Sequence, residues 1–141
     1  MSITLRQKQL VQSSFNKVVP IAEKAADIFY KKLFEYAPEV KPLFKGNLKE
    51  QGKKLMTMLG MAVKGLDDLN KLVPVLQRLA DNHVQYGVKA EHFTPVGNAL
   101  LYTLRVGLGD DFTHETRQAW VDTFRIVAST MKEHAFKATV A

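Results

Sequence analysis

The chain has no cysteine. Disulfides, thiolate metal sites and cysteine nucleophiles are therefore excluded. No apolar run approaches the roughly 20 residues of a membrane-spanning helix, so no membrane span is expected. The first ten residues lack a basic stretch followed by a long apolar run. No signal peptide is expected, and a cytoplasmic protein is the default reading. The alternation of β-strands is absent as well. Gly107 and Gly109 thus read as loop residues, because a phosphate-cradling loop needs a strand before it. There is no repeat, no low-complexity segment and no linker. The 141 residues read as one domain, 1–141, long enough to bury a core. The formal net charge is +6. Its lysines and arginines are scattered, with short clusters only at Lys31-Lys32 and Lys53-Lys54. That pattern is a solvated surface, and no nucleic-acid recognition motif accompanies it.

Helical patterning fills what remains. Residues 4–19 carry Val11, Phe15 and Val18 on one side. Pro20 suits the first turn of a second helix, whose apolar residues are Ala22, Ala25, Ala26, Phe29, Leu33 and Phe34. Pro38 and Pro42 bracket a tight segment ending in Leu43-Phe44, and Gly46-Asn47 reads as a loop. A long helix over 49–66 keeps Leu55, Met58, Leu59, Ala62 and Leu66 in register. The helix carrying His83 stops near Gly87. Thr94 and Thr113 are candidate N-caps, with Pro95 at the first position after Thr94. The final helix carries Trp120, Phe124, Val127, Ala128 and Met131.

Three polar side chains sit where the pattern is apolar. Leu72, Val75, Leu76, Leu79 and Ala80 line up with His83 at spacings of three and four, while Arg78, Asp81 and Asn82 face away. Imidazole is the commonest metal ligand, and an apolar setting keeps it neutral and able to bind. Taken alone, His83 reads equally as a core histidine or a helix-end cation. Gln51 lies four residues before Leu55 on an apolar face. It is either a helix-entry residue near solvent or a donor aimed into a pocket. Tyr30 is surrounded by Phe29, Leu33 and Phe34, and a buried phenol needs an acceptor. The other histidines, His92, His114 and His134, lie at helix ends or in polar stretches, where surface or capping roles are expected. Met58, Met61 and Met131 read as packing, and Trp120 as a core residue with its indole N–H bonded.

The order of these features resembles a known family. Residues 29–44, from Phe29-Tyr30 through Pro38 to Leu43-Phe44, resemble the second-helix-to-corner segment of bacterial globins. Gln51 with Leu55, His83 with Gln85, Gly87 and Val88, His92-Phe93 with Pro95-Val96-Gly97, and Ala119-Trp120 follow in the same order. The resemblance covers nearly the whole chain. It is strongest to single-domain bacterial haemoglobins and to the globin domain of flavohaemoglobins. It implies an all-α globin fold of seven to eight helices, a three-over-three sandwich around one non-covalent haem b (iron protoporphyrin IX). His83 would be the proximal iron ligand. Phe44 would wedge against the ring, Tyr30 and Gln51 would be distal donors, and Leu55 the apolar residue one turn on. Leu79, Val88, Phe93, Val96 and Val127 would line the haem, and Lys53 or Lys54 could meet a propionate.

The resemblance implies reversible binding of O2, CO and NO, for storage, delivery or detoxification. The alternatives are an NO dioxygenase served by a separate reductase, a haem-based gas sensor, and a haem-free helical interaction module. One departure bears on this choice. Flavohaemoglobin-type globins pair the proximal histidine with a tyrosine and a glutamate, which make the imidazole more basic. Here Phe93 and Ala135 stand at those positions. Glu133 lies about 200° away around a helix and is a poor substitute. His83 is then expected to donate only to a backbone carbonyl or to water. That expectation favours ligand binding over turnover.

Overall fold

The computed structural model describes residues 3–44 and 46–135. The two ends of the expected domain 1–141, including the first two residues of the N-terminal stretch read above, lie outside the described residues. Six α-helices follow one another: α1 (Leu5–Val18), α2 (Ala22–Tyr36), α3 (Leu48–Lys64), α4 (Leu69–Gln85), α5 (Phe93–Leu108) and α6 (His114–Ala135). Short 3₁₀ turns join them at Val19–Ile21, Pro38–Leu43, Gly65–Asp67, Ala90–His92 and Gly109–Asp111. No strand occurs among the described residues.

The all-α expectation holds, and the expected count of seven to eight helices becomes six α-helices with 3₁₀ connections among the described residues. The reason is local. Pro38 and Pro42 lack the backbone N–H groups an α-helix needs, so residues 38–43 wind as a 3₁₀ segment only. A second correction concerns Thr94. Helix α5 already begins at Phe93, preceded by the turn Ala90–His92, so Thr94 lies inside the first turn and not at its cap. The His92 side chain takes part in that entry, its Nδ1 accepting from the Lys89 N–H at 3.0 Å. Thr113 does cap, its hydroxyl accepting from the Thr116 N–H at 3.1 Å.

Packing follows the apolar stripes. Helix α2 lies on α5 and α3, α4 on α6, and α6 also on α1. Val11, Phe15 and Val18 of α1 meet Leu104 and Trp120 in one buried cluster. Trp120 is fully buried and donates its indole N–H to Ser14 Oγ at 2.8 Å, so its one polar atom is satisfied. Gly97 lets α5 and α6 close up, since a Cβ there would sit 2.7 Å from the Phe124 ring. Met131 packs as expected. Met61 does not: it is among the exposed large hydrophobic residues, because it falls on the solvent side of α3.

Candidate functional site

Tyr30 organises one half of the site. Helix α2 carries it into a buried cluster with Phe29, Leu33 and Ala99, against which Phe44, Leu55 and Val96 pack. It is only 6% exposed. Its ring meets Phe44 edge-on with centroids 5.3 Å apart, and Phe29 edge-on at 5.2 Å. The phenol donates to the Gln51 carbonyl oxygen at 3.3 Å, a long contact for an O–H donor. Helix α3 delivers Gln51 there because Asn47 caps its start, the Asn47 side chain accepting from Lys49 and Glu50. Gln51 itself is half-buried.

Burial pushes the Tyr30 phenol up to about 12, with the Gln51 side-chain amide acting in the opposite direction. The sign of the consequence is definite. An acid whose pKa is higher in the folded chain than in the unfolded one stabilises the fold below the unfolded value, near 10. That contribution is lost as pH rises from about 10 to about 12. Denaturant melts across this window are expected to show a steeper fall for the natural chain than for Tyr30→Phe. Equal slopes would place the titration elsewhere.

His83 organises the other half. It lies near the end of α4, on the stripe whose buried members are Leu72, Leu76 and Ala80. The imidazole is half-buried, with the exposed Tyr86 ring edge-on at 6.2 Å. Its Nδ1 lies 2.7 Å from the Leu79 carbonyl oxygen. A carbonyl only accepts, so Nδ1 carries the proton, and in the neutral ring Nε2 is then the nitrogen with the lone pair. That is the tautomer a metal ligand needs, with the ring oriented by the outer hydrogen bond. The His83 carbonyl in turn accepts from the Val88 N–H at 3.0 Å, which sets the turn after α4.

Leu79 and Phe93 belong to this half, in a cluster with Leu76, Ala128, Met131, Val127 and Ala135. Phe93 and Ala135 thus share one cluster beside α4, with the Lys132 ammonium 5.4 Å from the centre of the Phe93 ring. Asp81 is occupied elsewhere: it pairs with His134 of α6 at 3.1 Å. Glu133 is exposed. His114 is exposed at the start of α6, while His92 is buried and serves the entry to α5. Lys53 and Lys54 are exposed.

The two halves meet at one corner. Gly87, at φ +92°, has only glycine-compatible backbone, and a Cβ there would lie 3.2 Å from Leu43. Leu43, at the end of the 38–43 segment and next to Phe44, thus lies close against the turn after His83. Helices α3 and α4 otherwise pack on different partners, α3 on α2 and α1, and α4 on α6. Sequence reading missed Gly52, whose close approach to Ala26 brings α3 onto α2. The available signal was a glycine inside a helix, which costs about 1 kcal/mol against alanine and so marks a packing need.

The donor set limits what such a site can hold. No group of three metal-ligating side chains occurs among the described residues. A lone neutral imidazole does not cage a bare ion. It fits a metal that arrives already held by a flat macrocycle, and the aromatic and aliphatic side chains around Tyr30 and Leu79 fit the apolar faces of such a group.

Known proteins resemble this chain in sequence and in fold. The chain is 36% identical to a flavohemoprotein of Chromobacterium violaceum over 107 residues, 73% of this chain and 26% of that protein. It spans about a quarter of that relative's length. It is 30% identical to a neuroglobin of Tetraodon nigroviridis over 143 residues, 92% of this chain and 90% of that one. A bacterial globin structure from Campylobacter jejuni superposes with a TM-score of 0.82 at 28% identity, covering 98% of this chain and 100% of that chain. A hexacoordinated heme protein from an anhydrobiotic tardigrade shares the fold, with a TM-score of 0.84 at 21% identity over 94% of both chains. Residues 27–131 match the family described as Globin. This chain belongs to the globin family.

Proposed function

We propose that the chain is one globin domain that holds haem b non-covalently and binds O2, CO and NO reversibly in a bacterial cytoplasm. The absence of cysteine supports non-covalent attachment. No helix among the described residues is long and apolar enough to cross a membrane. The observation that carries the reading is the His83–Leu79 hydrogen bond at 2.7 Å, which fixes the imidazole with Nε2 open. Haem supplies the iron that takes the gas. The chain supplies the rest. His83 holds the iron, Phe44, Leu55, Leu79, Val88, Phe93 and Val96 cover the ring and exclude water, and Tyr30 and Gln51 offer donors on the gas side. A reversible oxygenation curve, with ligand released on lowering O2 pressure, tests this. Irreversible oxidation on first exposure to O2 would sink it.

A second reading, NO dioxygenation with a separate reductase as partner, is motivated by the flavohemoprotein similarity. The proximal side argues against it. With its Nδ1 proton on a neutral carbonyl, and with Phe93 and Ala135 in the cluster beside α4, His83 gains no anionic partner among the described residues. Asp81 is held by His134. The ferrous iron–histidine stretching frequency is expected to lie below that of flavohaemoglobin-type globins, by resonance Raman. Phe93→Tyr with Ala135→Glu is expected to raise it and to increase peroxidase-like turnover. A high frequency in the natural chain, with fast conversion of NO to nitrate, would favour the enzyme.

A further inference from the structure

The joint between α2 and α3 carries both gas-side donors, and it is closed by the smallest side chains available. A Cβ built on Gly52 would lie 2.9 Å from the Ala26 Cβ. Neither atom is the far end of a flexible side chain, so neither can step aside. Carbon atoms in ordinary contact sit about 3.5–4.0 Å apart. A methyl group at 52 must therefore move α3 off α2 by roughly 0.6–1.1 Å. An open cleft of about 210 Å³ lies alongside, where Ala26, Gly52 and Met56 meet the charged Glu23, Asp27 and Lys49, so the first turns of α3 have free volume beside them.

The residue next to Gly52 is Gln51, whose carbonyl takes the Tyr30 proton at 3.3 Å. A hydroxyl contact already that long does not survive a further shift of this size. A phenol has one proton. While it points at the Gln51 carbonyl, it is not available to anything else. We propose that the Gly52–Ala26 contact is a positioning device: it keeps the Tyr30 proton on the Gln51 carbonyl and thereby limits how tightly a polar gas is retained. Gly52 and Ala26 touch neither gas nor cofactor in this scheme. They act through the spacing of two helices, and so set the discrimination between a ligand that accepts a hydrogen bond strongly and one that does not.

The gas-release part rests on the haem reading above; the state of the phenol does not. Gly52→Ala in the purified full chain is expected to slow O2 release by about 2- to 10-fold, the range of one neutral hydrogen bond no longer competing. CO release is expected to change little, while the infrared stretch of bound CO falls because a donor now faces it. The exchange Ala26→Gly with Gly52→Ala puts one methyl group back at the contact and is expected to restore both values. Should Gly52→Ala fail to fold, Ala26→Gly alone relieves the contact from the other side and is expected to speed O2 release. The ζ-carbon NMR signal of Tyr30, assigned by its loss in Tyr30→Phe, reads the phenol's hydrogen bond without any gas. It is expected to move in Gly52→Ala and return in the exchanged pair. Loss of haem binding in the natural chain would overturn the functional reading and leave this signal as the test. An unmoved signal, equal changes for O2 and CO, or an exchange that restores neither would overturn the positioning role.

Discussion

His83→Ala is expected to abolish stable haem binding. No other histidine can take over. His92 is buried with its Nδ1 committed to the Lys89 N–H, His114 is exposed at the head of α6, and His134 is paired with Asp81. Loss of the group should also destabilise the fold, because a ligand bound only by the native state shifts the folding equilibrium toward it. At a ligand concentration a thousand times its dissociation constant that linkage is about 4 kcal/mol. The haem-to-protein ratio after gel filtration, and the melting midpoints of natural and variant chains at one pH, measure the two effects. Haem retained in the variant with an unchanged ferrous spectrum would place the ligand elsewhere.

The distal pair should give the next largest change. Gln51→Leu and Tyr30→Phe are each expected to speed O2 release. A full hydrogen bond to a charged acceptor is worth about 1.5–3 kcal/mol, or roughly 10- to 100-fold. Tyr30→Phe is expected toward the lower end. Its proton must leave the Gln51 carbonyl before it can serve a ligand, so the net gain it gives is smaller. CO, which takes on less charge, should respond less to either change. Stopped-flow displacement of O2 and of CO separates the cases. If both gases accelerate by one factor, the side chains act by blocking exit and not by donating.

Much of this was legible in the sequence because helices write their own periodicity. The stripe of Leu72, Leu76 and Ala80 placed His83 near the end of an apolar face, and the structure buries those three residues. The prolines at 38 and 42 announced a tight corner, and Phe44 joins the Tyr30 cluster just after it. Other features were not legible, for physical reasons. The count of seven to eight helices came with the family resemblance, and here residues 38–43 wind as a 3₁₀ segment, so six α-helices stand among the described residues. Thr94 has the chemistry of a cap, but a turn formed upstream and began α5 earlier. Met61 has the composition of a core residue and the angle of a surface one. The partner of the Tyr30 phenol is a main-chain oxygen, which no side-chain pattern encodes. Likewise the approach of Gly52 to Ala26 and of Gly87 to Leu43 depends on how whole helices cross, not on any local run of residues.

The most direct test of the account is the visible absorption of the purified full chain, ferric and ferrous, with and without CO. An intense haem band is expected that shifts on reduction, shifts again with CO, and returns when CO is removed. A chain that folds, takes up no haem when supplied with it, and shows no CO-dependent change would contradict the reading of His83 as an iron ligand and of the surrounding side chains as a gas-binding site.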